Sequence, residues 1–173
     1  KPPRQPVEKQ DCVGVDLGIN CLATCSDGKE IDNPKALSKK LKKLKRLNQA
    51  LSRKVKGSHN RYKAKLQLSK LHQRIKNIRK DALHKLSYYL TTRFNTVVLE
   101  DLNVKGMIQN RKLSRAIADV GFYELRRQVE YKAKYYGAKV VFADRFYPSS
   151  KLCSSCGFKH EGLTLKDREW QCP

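Results

Sequence analysis

Apolar residues recur at helical spacing through the middle of the chain. One row occupies positions 37–55 at steps of three and four, and a second row occupies positions 62–94. This spacing is the repeat of one face of an α-helix. Gly57 and Ser58 separate the two rows, and the Ser58 hydroxyl is suited to cap the second helix. The pattern therefore predicts an antiparallel pair of helices with an apolar interior.

Short apolar segments rich in β-branched residues precede this helix pair. Residues 12–19 predict a strand that carries one carboxylate, Asp16, in its middle. Residues 21–26 can return antiparallel to it, and the Asp27-Gly28 pair is a strong hairpin turn into a third short strand. We expect three short antiparallel strands at the beginning of the fold.

A second group of elements follows the helix pair. Residues 96–100 form an apolar segment that ends in Glu100 and predicts a buried strand. Residues 117–136 have the apolar pattern of a helix that stops at Gly137, and residues 139–143 predict one further strand. A helix between two strands is typical of a parallel crossover. The order of elements indicates an α/β fold with a mixed sheet.

The charge of the chain is concentrated in the predicted helix pair. The 173 residues include 38 Lys and Arg against 16 Asp and Glu, a formal net charge of +22. Residues 35–80 contain 18 of the basic residues and no acidic residue, so the other 20 basic and 16 acidic residues leave only +4. No apolar stretch approaches the roughly 20 residues that cross a bilayer, so we expect a soluble intracellular protein without a membrane partner. A nucleic acid is the expected partner.

Thirteen basic side chains of the helix pair are the candidate nucleic-acid contacts. Such a surface neutralises phosphates without reading sequence. Aromatic residues are sparse there, with only Tyr62 before Tyr88, so stacking on bases is not the expected mode. A helix pair that is basic but merely solvated is the alternative. The candidates are Lys39, Lys42, Lys43, Lys45, Arg46, Arg53, Lys54, Lys56, Arg61, Lys63, Lys65, Lys70 and Arg74.

Asp16 and Glu100 are carboxylates that lie in or at the end of apolar strands. Burial disfavours a charged carboxylate unless a positive group is bound. Oxygen ligands on adjacent strands suit Mg²⁺ or Mn²⁺, which can activate water for phosphodiester cleavage. Taken singly, Asp16 could pair with a lysine and Glu100 could be a turn cap beside Asp101, but their joint placement favours a metal site. We interpret the other acids of these regions as turn, cap or surface residues: Asp11, Asp27, Asp101 and Asp119.

Six cysteines occur in the chain, and three of them have the spacing of a zinc site. Cys153 and Cys156 form a CxxC pair, and Cys172 follows after fifteen residues. A zinc ribbon needs four ligands from two such pairs, and the second pair here has only its first cysteine. His160 could substitute as a ligand, and the thiols could also be inert or redox-active. The other three are expected to be small buried apolar residues: Cys12, Cys21 and Cys25.

Three motifs occur in a characteristic order along the chain. They are GVDLGI at residues 14–19, VLEDLNVKGM at residues 98–107 and SSKLCSSCG at residues 149–157. In this order and spacing they resemble the RuvC-like nuclease part of transposon-encoded TnpB (OrfB) proteins. Those proteins are RNA-guided DNA endonucleases of insertion sequences and relatives of type V CRISPR effectors. The resemblance covers nearly the whole chain, including the basic helix pair.

The resemblance implies an RNase H-like (RuvC) mixed sheet with an inserted basic helical hairpin and a C-terminal partial zinc ribbon. It implies that Asp16 and Glu100 are the first two members of a catalytic acidic triad that binds Mg²⁺ or Mn²⁺. Zinc would be bound by Cys153, Cys156 and Cys172. Guide RNA and target DNA would be the partners, and the hairpin would contact the guide or its hybrid with the target. The implied location is the cytoplasm of a prokaryotic cell, at the nucleoid.

The implied domains follow the same order along the chain. Residues 1–10 would be a linker or a cut end, residues 11–33 and 96–148 the RuvC-like domain, residues 34–95 the inserted hairpin, and residues 149–173 the incomplete ribbon.

The sequence departs from the family pattern at both ends. The amino-terminal regions that hold guide RNA and read the target-flanking motif are missing, as are the fourth zinc cysteine and the third catalytic Asp. We therefore expect a fragment or a truncated chain that lacks nuclease activity by itself. The alternative function is a non-catalytic RNA- or DNA-binding protein derived from the same family. A DNA-junction resolvase on the same fold is a third hypothesis.

Overall fold

The computed structural model describes residues 9–145, 151–153, 155–164, 167 and 169–173. Most of the expected linker and the first residues of the cysteine motif, at 149–150, lie outside the described residues. Among the helices of the described ranges, none combines the length and the apolar content that a membrane span requires.

A mixed sheet forms the centre of the fold. Its strands are β1 (Gln10–Leu17), β2 (Cys21–Cys25), β3 (Glu30–Asp32), β4 (Phe94–Glu100) and β5 (Lys139–Ala143). They lie side by side in the order β3-β2-β1-β4-β5. The first three strands pair antiparallel, whereas β4 pairs parallel with both β1 and β5. The predicted α/β class and mixed sheet are confirmed.

The predicted helical hairpin is present. It consists of α1 (Ala36–Ser52) and α2 (His59–Arg93). Ser58 caps α2 as expected, because its Oγ accepts a hydrogen bond from the backbone N–H of Arg61 at 3.2 Å. The interior between the helices is apolar and centres on Leu71 and Ile75.

The end of the hairpin near its turn is more exposed than the periodicity predicted. Val55 lies beyond the end of α1 and is 76% exposed, and Tyr62 and Leu66 are also exposed. In the part of the chain that the structure describes, no third element covers the apolar rows there, and their side chains therefore stay exposed. The buried part of the second row begins only at Leu71.

The long helix α2 takes part in two separate cores. Its first half packs against α1, and its second half places Leu83, Leu86 and Leu90 in the main core. The helix then leads directly into β4, without a connecting loop.

The segment after β4 contains three helices. They are α3 (Val104–Gln109), α4 (Ser114–Val120) and α5 (Phe122–Tyr136). The prediction of one helix over residues 117–136 was wrong, because the chain turns at Gly121, whose φ of 79° is in the left-handed region that glycine tolerates best. Helix α3 was not predicted. It is held by Asn103, whose Oδ1 accepts a hydrogen bond from Gly106 N at 3.1 Å.

The main core lies between one face of the sheet and helices α2, α4 and α5. Val13 of β1 and Val97 and Leu99 of β4 are buried in it. Because side chains alternate along a strand, Asp16 and Glu100 belong to the opposite face of the sheet.

The three cysteines of the first strands differ in burial. Cys25 is buried and Cys21 is partly buried, but Cys12 is exposed. The expectation of burial was wrong for Cys12, because it alternates with Val13 and so belongs to the face away from the main core.

Candidate active site and metal sites

Asp16 and Glu100 lie next to each other at the carboxyl ends of two parallel strands. The register of β1 and β4 pairs Val15 with Leu99, one residue before each carboxylate. Both side chains are exposed on the sheet face that the helices do not cover. The fold thus brings together the two carboxylates that the sequence pattern singled out.

The electrostatics of this pair favour a bound cation. Partial burial raises the pKa of Glu100, and the negative charge of Asp16 raises it further. Within the described part of the chain, neither carboxylate accepts a hydrogen bond or forms an ion pair. The pairing of Asp16 with a lysine, which the sequence left open, is therefore not seen. Two neighbouring carboxylates without partners are the oxygen donors that a divalent cation binds.

An open pocket of about 560 Å³ lies over the carboxylate pair. Its lining contains four carboxylates and one guanidinium: Asp16, Glu100, Asp101, Asp144 and Arg145. Sequence reasoning missed Asp144. It directly follows β5, whose Ala143 is in register with Glu100. The rule that parallel strands end at one edge of a sheet could have found it.

Asp101 is held by two arginines from other elements. Its carboxylate forms ion pairs with Arg126 at 3.0 Å and Arg145 at 2.7 Å. The Nε of Arg145 also donates to the backbone carbonyl of Asp101 at 3.0 Å. These bonds connect the ends of β4 and β5 to α5 beside the carboxylate pair. Asp101 therefore positions the rim of the site.

Asp119 caps a helix that is distant in sequence. It is only 7% exposed and accepts hydrogen bonds from the backbone N–H of Leu37 at 3.0 Å and of Ser38 at 3.4 Å. It also forms an ion pair with Arg79 at 3.1 Å. Asp119 is thus a cap, as one of the sequence-based interpretations allowed, but it is neither a turn nor a surface residue. It fastens the start of α1 to α4.

The three cysteines with zinc spacing converge in space. The Sγ atoms of Cys153, Cys156 and Cys172 all lie within 4.8 Å of one another. Hydrogen bonds from the backbone N–H groups of Cys156 and Ser155 lower the pKa of Cys153 to about 7, whereas the hydrogen bond between the side chains of Cys172 and Cys156 raises the pKa of Cys172 to about 12. Thiolates are the form of cysteine that binds metal. The group has the donor chemistry of a zinc site.

His160 does not join the three thiols. Its ring nitrogens lie outside the group of mutually close ligand atoms that the described residues form. The ring instead packs edge-on against Trp170, with 5.2 Å between the centroids. The structure therefore does not support His160 as the fourth ligand.

The basic candidates of the hairpin have different surroundings. A groove of about 440 Å³ lies between α1 and α2. Its described lining has no acidic side chain and five cationic ones: Lys40, Lys43, Arg46, Lys70 and Arg74. Lys40 was not among the thirteen candidates. Arg61 was, but its guanidinium donates to the backbone carbonyls of Leu51 at 2.8 Å and Lys54 at 3.0 Å. Arg61 thus holds the turn of the hairpin together.

Two family models match successive parts of the chain. Residues 1–111 match a family described as a probable transposase, OrfB_IS605. Residues 122–173 match the TNB domain of Cas12f1-like proteins. The two matches cover the carboxylate pair and the cysteine group respectively.

Curated relatives show the same relationship. The chain is 46% identical over 160 residues to a candidate RNA-guided DNA endonuclease of Streptomyces pristinaespiralis, covering 92% of this chain and 40% of the relative. It is 36% identical over 175 residues to the candidate RNA-guided DNA endonuclease InsQ of Escherichia coli, covering 92% of this chain and 43% of the relative. The chain thus spans about two fifths of the length of these relatives.

Solved structures agree in fold. A cryo-EM structure of a CRISPR-Cas12f ternary complex matches with a TM-score of 0.60 at 18% identity, covering 96% of this chain and 35% of that chain. A Cas12f1-sgRNA-target DNA complex matches with a TM-score of 0.52 at 18% identity, covering 85% of this chain and 38% of that one. The sequence resemblance to TnpB proteins and their type V relatives is confirmed, and the chain belongs to the OrfB_IS605 family of probable transposases.

Proposed function

We propose that the chain is the RuvC-like nuclease region of a transposon-associated RNA-guided DNA endonuclease. The observation that carries this proposal is the pair Asp16 and Glu100, side by side at the ends of two parallel strands and without protein partners in the described residues. The names of the relatives support the same activity. Guide RNA and target DNA are the proposed partners.

Asp16 and Glu100 would together hold Mg²⁺ or Mn²⁺. A divalent cation at this position supplies activation of water and stabilisation of the leaving oxygen of a phosphodiester. The chain fits such an ion, because its two donors are oxygen atoms, the pKa of Glu100 is raised by burial and by Asp16, and four of the five charged residues that line the pocket in the described part of the chain are acids. Arg126 and Arg145 already neutralise Asp101, so the two unpartnered carboxylates are the ones open to the cation.

Manganese binding tests this assignment directly. The paramagnetic resonance signal of free Mn²⁺ reports its uptake by the purified chain. We expect Asp16→Ala and Glu100→Ala each to weaken Mn²⁺ binding by tenfold or more. Asp11→Ala is the matched control, because Asp11 is an exposed acid of the same strand outside the pocket. Equal Mn²⁺ affinity in all three variants would contradict the proposed site.

Cleavage provides the functional test. In a polypeptide that contains this chain, supplied with guide RNA and target DNA, Asp16→Ala should abolish cleavage while sparing binding of the nucleic acids. Cutting by that variant would refute the catalytic assignment. Nucleic-acid binding without Mn²⁺ uptake by the unchanged chain would favour the non-catalytic alternative.

We also propose that Zn²⁺ binds to Cys153, Cys156 and Cys172. The mutual distances of their thiols support this. Elemental analysis of the purified chain should find one zinc per chain, and Cys156→Ser should lose it. Cys12→Ser is the control, because Cys12 is an exposed cysteine on β1, outside the group. Absence of zinc from the unchanged chain would refute the proposal.

The basic hairpin is the proposed contact to the nucleic-acid backbone. Replacing Lys43, Arg46 and Lys70 of the groove by Gln should lower the slope of log affinity against log salt by roughly 0.9 for each lost contact to a B-form duplex. Replacing the exposed Lys112, Lys134 and Lys139 by Gln is the control with the same charge change outside the hairpin. Equal slopes for the two triple variants, measured by fluorescence anisotropy, would contradict this role.

A further inference from the structure

A second pocket of about 360 Å³ adjoins the carboxylate pocket and differs from it in charge. The two share Glu100, Asp101 and Arg145 in their linings, so they adjoin each other at the edge of the sheet where β4 ends. Beyond the shared residues, the first pocket adds the acids Asp16 and Asp144. The second pocket instead adds the cations Lys105 and Arg126 and, among the residues that the structure describes, no acid. The charge of the lining therefore changes from mainly acidic in the first pocket to mainly basic in the second, with Glu100 lining both.

The cations of the second pocket are held ready for an anion. Arg126 and Arg145 both bind Asp101, and the guanidinium of Arg126 stacks on the ring of Phe142 at 3.9 Å. Arg126 donates from its Nε to Glu130 and from one terminal nitrogen to Asp101, whereas Arg145 donates from its Nε and one terminal nitrogen to Asp101. One terminal nitrogen of each guanidinium therefore forms no hydrogen bond within the described residues. Lys105 is exposed and has no acidic partner there. Fixed guanidinium donors beside a mobile ammonium suit a phosphodiester.

An aromatic ring completes the second pocket. Phe122 and Tyr123, the first two residues of α5, both line it. Phe122 is buried in the main core, whereas Tyr123 is 74% exposed. An exposed tyrosine ring beside phosphate-binding cations is a surface on which a nucleic-acid base can stack.

We propose that the second pocket binds one nucleotide of the DNA strand, next to the phosphate that lies at Asp16 and Glu100. Its phosphate contacts Lys105, Arg126 and Arg145, and its base stacks on Tyr123. This inference rests on the proposed nuclease function. Because the acidic pocket attracts the cation and the basic pocket attracts the phosphodiester, the strand is directed across Glu100.

Titration with a short ligand distinguishes binding in this pocket from binding to the basic hairpin. Thymidine trinucleotide is titrated into the isotope-labelled chain, and chemical shifts are followed for the ring of Tyr123 and the Nε–H of Arg126. We expect both signals to shift, and we expect Tyr123→Ala to weaken affinity about fivefold or more. Tyr135→Ala is the control, because Tyr135 is 80% exposed on the same helix but lies outside the pocket.

The salt dependence of trinucleotide binding tests the phosphate contact. Lys105→Gln should reduce the slope of log affinity against log salt by about 0.7, the value for one contact to a single strand. Lys134→Gln, an exposed lysine of α5 outside the pocket, should leave the slope unchanged.

The outcomes distinguish this inference from the nuclease proposal. Shifts confined to the hairpin, or equal affinities of Tyr123→Ala and Tyr135→Ala, would overturn the nucleotide pocket even where Asp16→Ala abolishes Mn²⁺ binding. Failure of the unchanged chain to take up Mn²⁺ would instead refute the proposed function itself.

Discussion

Asp119→Ala removes, in one change, the side-chain bonds that fasten α4 to the start of α1 and to α2. The carboxylate caps α1 through the backbone N–H groups of Leu37 and Ser38 and forms an ion pair with Arg79 of α2. The side chain is 7% exposed, so water does not replace these bonds freely. We expect the variant to fold with a markedly lower free energy of unfolding.

The size of the effect follows from the two kinds of bond. Loss of a helix N-cap costs about 1 kcal/mol. A hydrogen bond to a charged group contributes about 1.5–3 kcal/mol, and the lower end applies because the side chain of Arg79 is 31% exposed. The expected loss is therefore about 2.5 kcal/mol. For a chain of this length that corresponds to a fall of roughly 5–10 °C in melting temperature.

Urea unfolding followed by circular dichroism measures this loss. The control is Asp81→Ala, which removes an exposed ion pair with Lys85 within α2 and should cost only about 0.3–0.5 kcal/mol. Hydrogen exchange should also show that the amides of Leu37 and Ser38 lose protection in Asp119→Ala. Similar unfolding free energies for the two variants would refute the reasoning.

Two further predictions concern stability and are measured by the same urea experiment. Ser87→Ala should lower the free energy of unfolding by about 1–3 kcal/mol, because the buried ammonium of Lys132 loses a hydrogen-bond acceptor at 2.8 Å. Lys132→Met removes the ammonium itself and leaves no buried charge that lacks an acceptor, so its cost in stability should be closer to zero. Gly121→Ala and Gly137→Ala should each cost about 1 kcal/mol because both glycines have positive φ, and Gly121→Ala should cost more, since its new Cβ lies 3.3 Å from the side chain of Arg79. A Ser87→Ala variant as stable as Lys132→Met, or equal costs at the two glycines, would contradict these predictions.

The predictable part of the site is the part that depends on local strand pattern. Asp16 and Glu100 each interrupt or end a short apolar run, and such runs become the central strands of a sheet. The sequence indicated both residues and favoured a metal site shared by them. It predicted parallel pairing only between β4 and β5, so the parallel pairing of β1 and β4 that brings the carboxylates to the same edge is a finding of the structure.

The bonds of Asp101 and Asp119 could not be predicted in the same way. The amide partner of Asp119 is 82 positions away, at Leu37, and the two arginines of Asp101 are 25 and 44 positions away. The spacing of apolar residues within a short segment carries no information about contacts between residues so far apart in the sequence. Periodicity also gives the face of a helix but not the number of its neighbours, so the exposure of Val55 and Tyr62 near the hairpin turn was not foreseen.

The way the hairpin is attached to the sheet explains how its proposed contact to the nucleic-acid backbone could position the nucleic acid relative to Asp16 and Glu100. Helix α2, about 50 Å long at 1.5 Å per residue, continues without a loop into β4, the strand that ends in Glu100. On the other side, the buried Asn33 donates to the carbonyl of Ile19 at 2.6 Å, and Asp119 caps α1. The start of α1 and the end of α2 are thus both fixed to the rest of the fold. A nucleic acid bound along the hairpin would lie at a set distance and orientation from Asp16 and Glu100. Because Asp119 fixes the start of α1, Asp119→Ala is expected to disturb this distance and orientation without removing any contact to the nucleic acid.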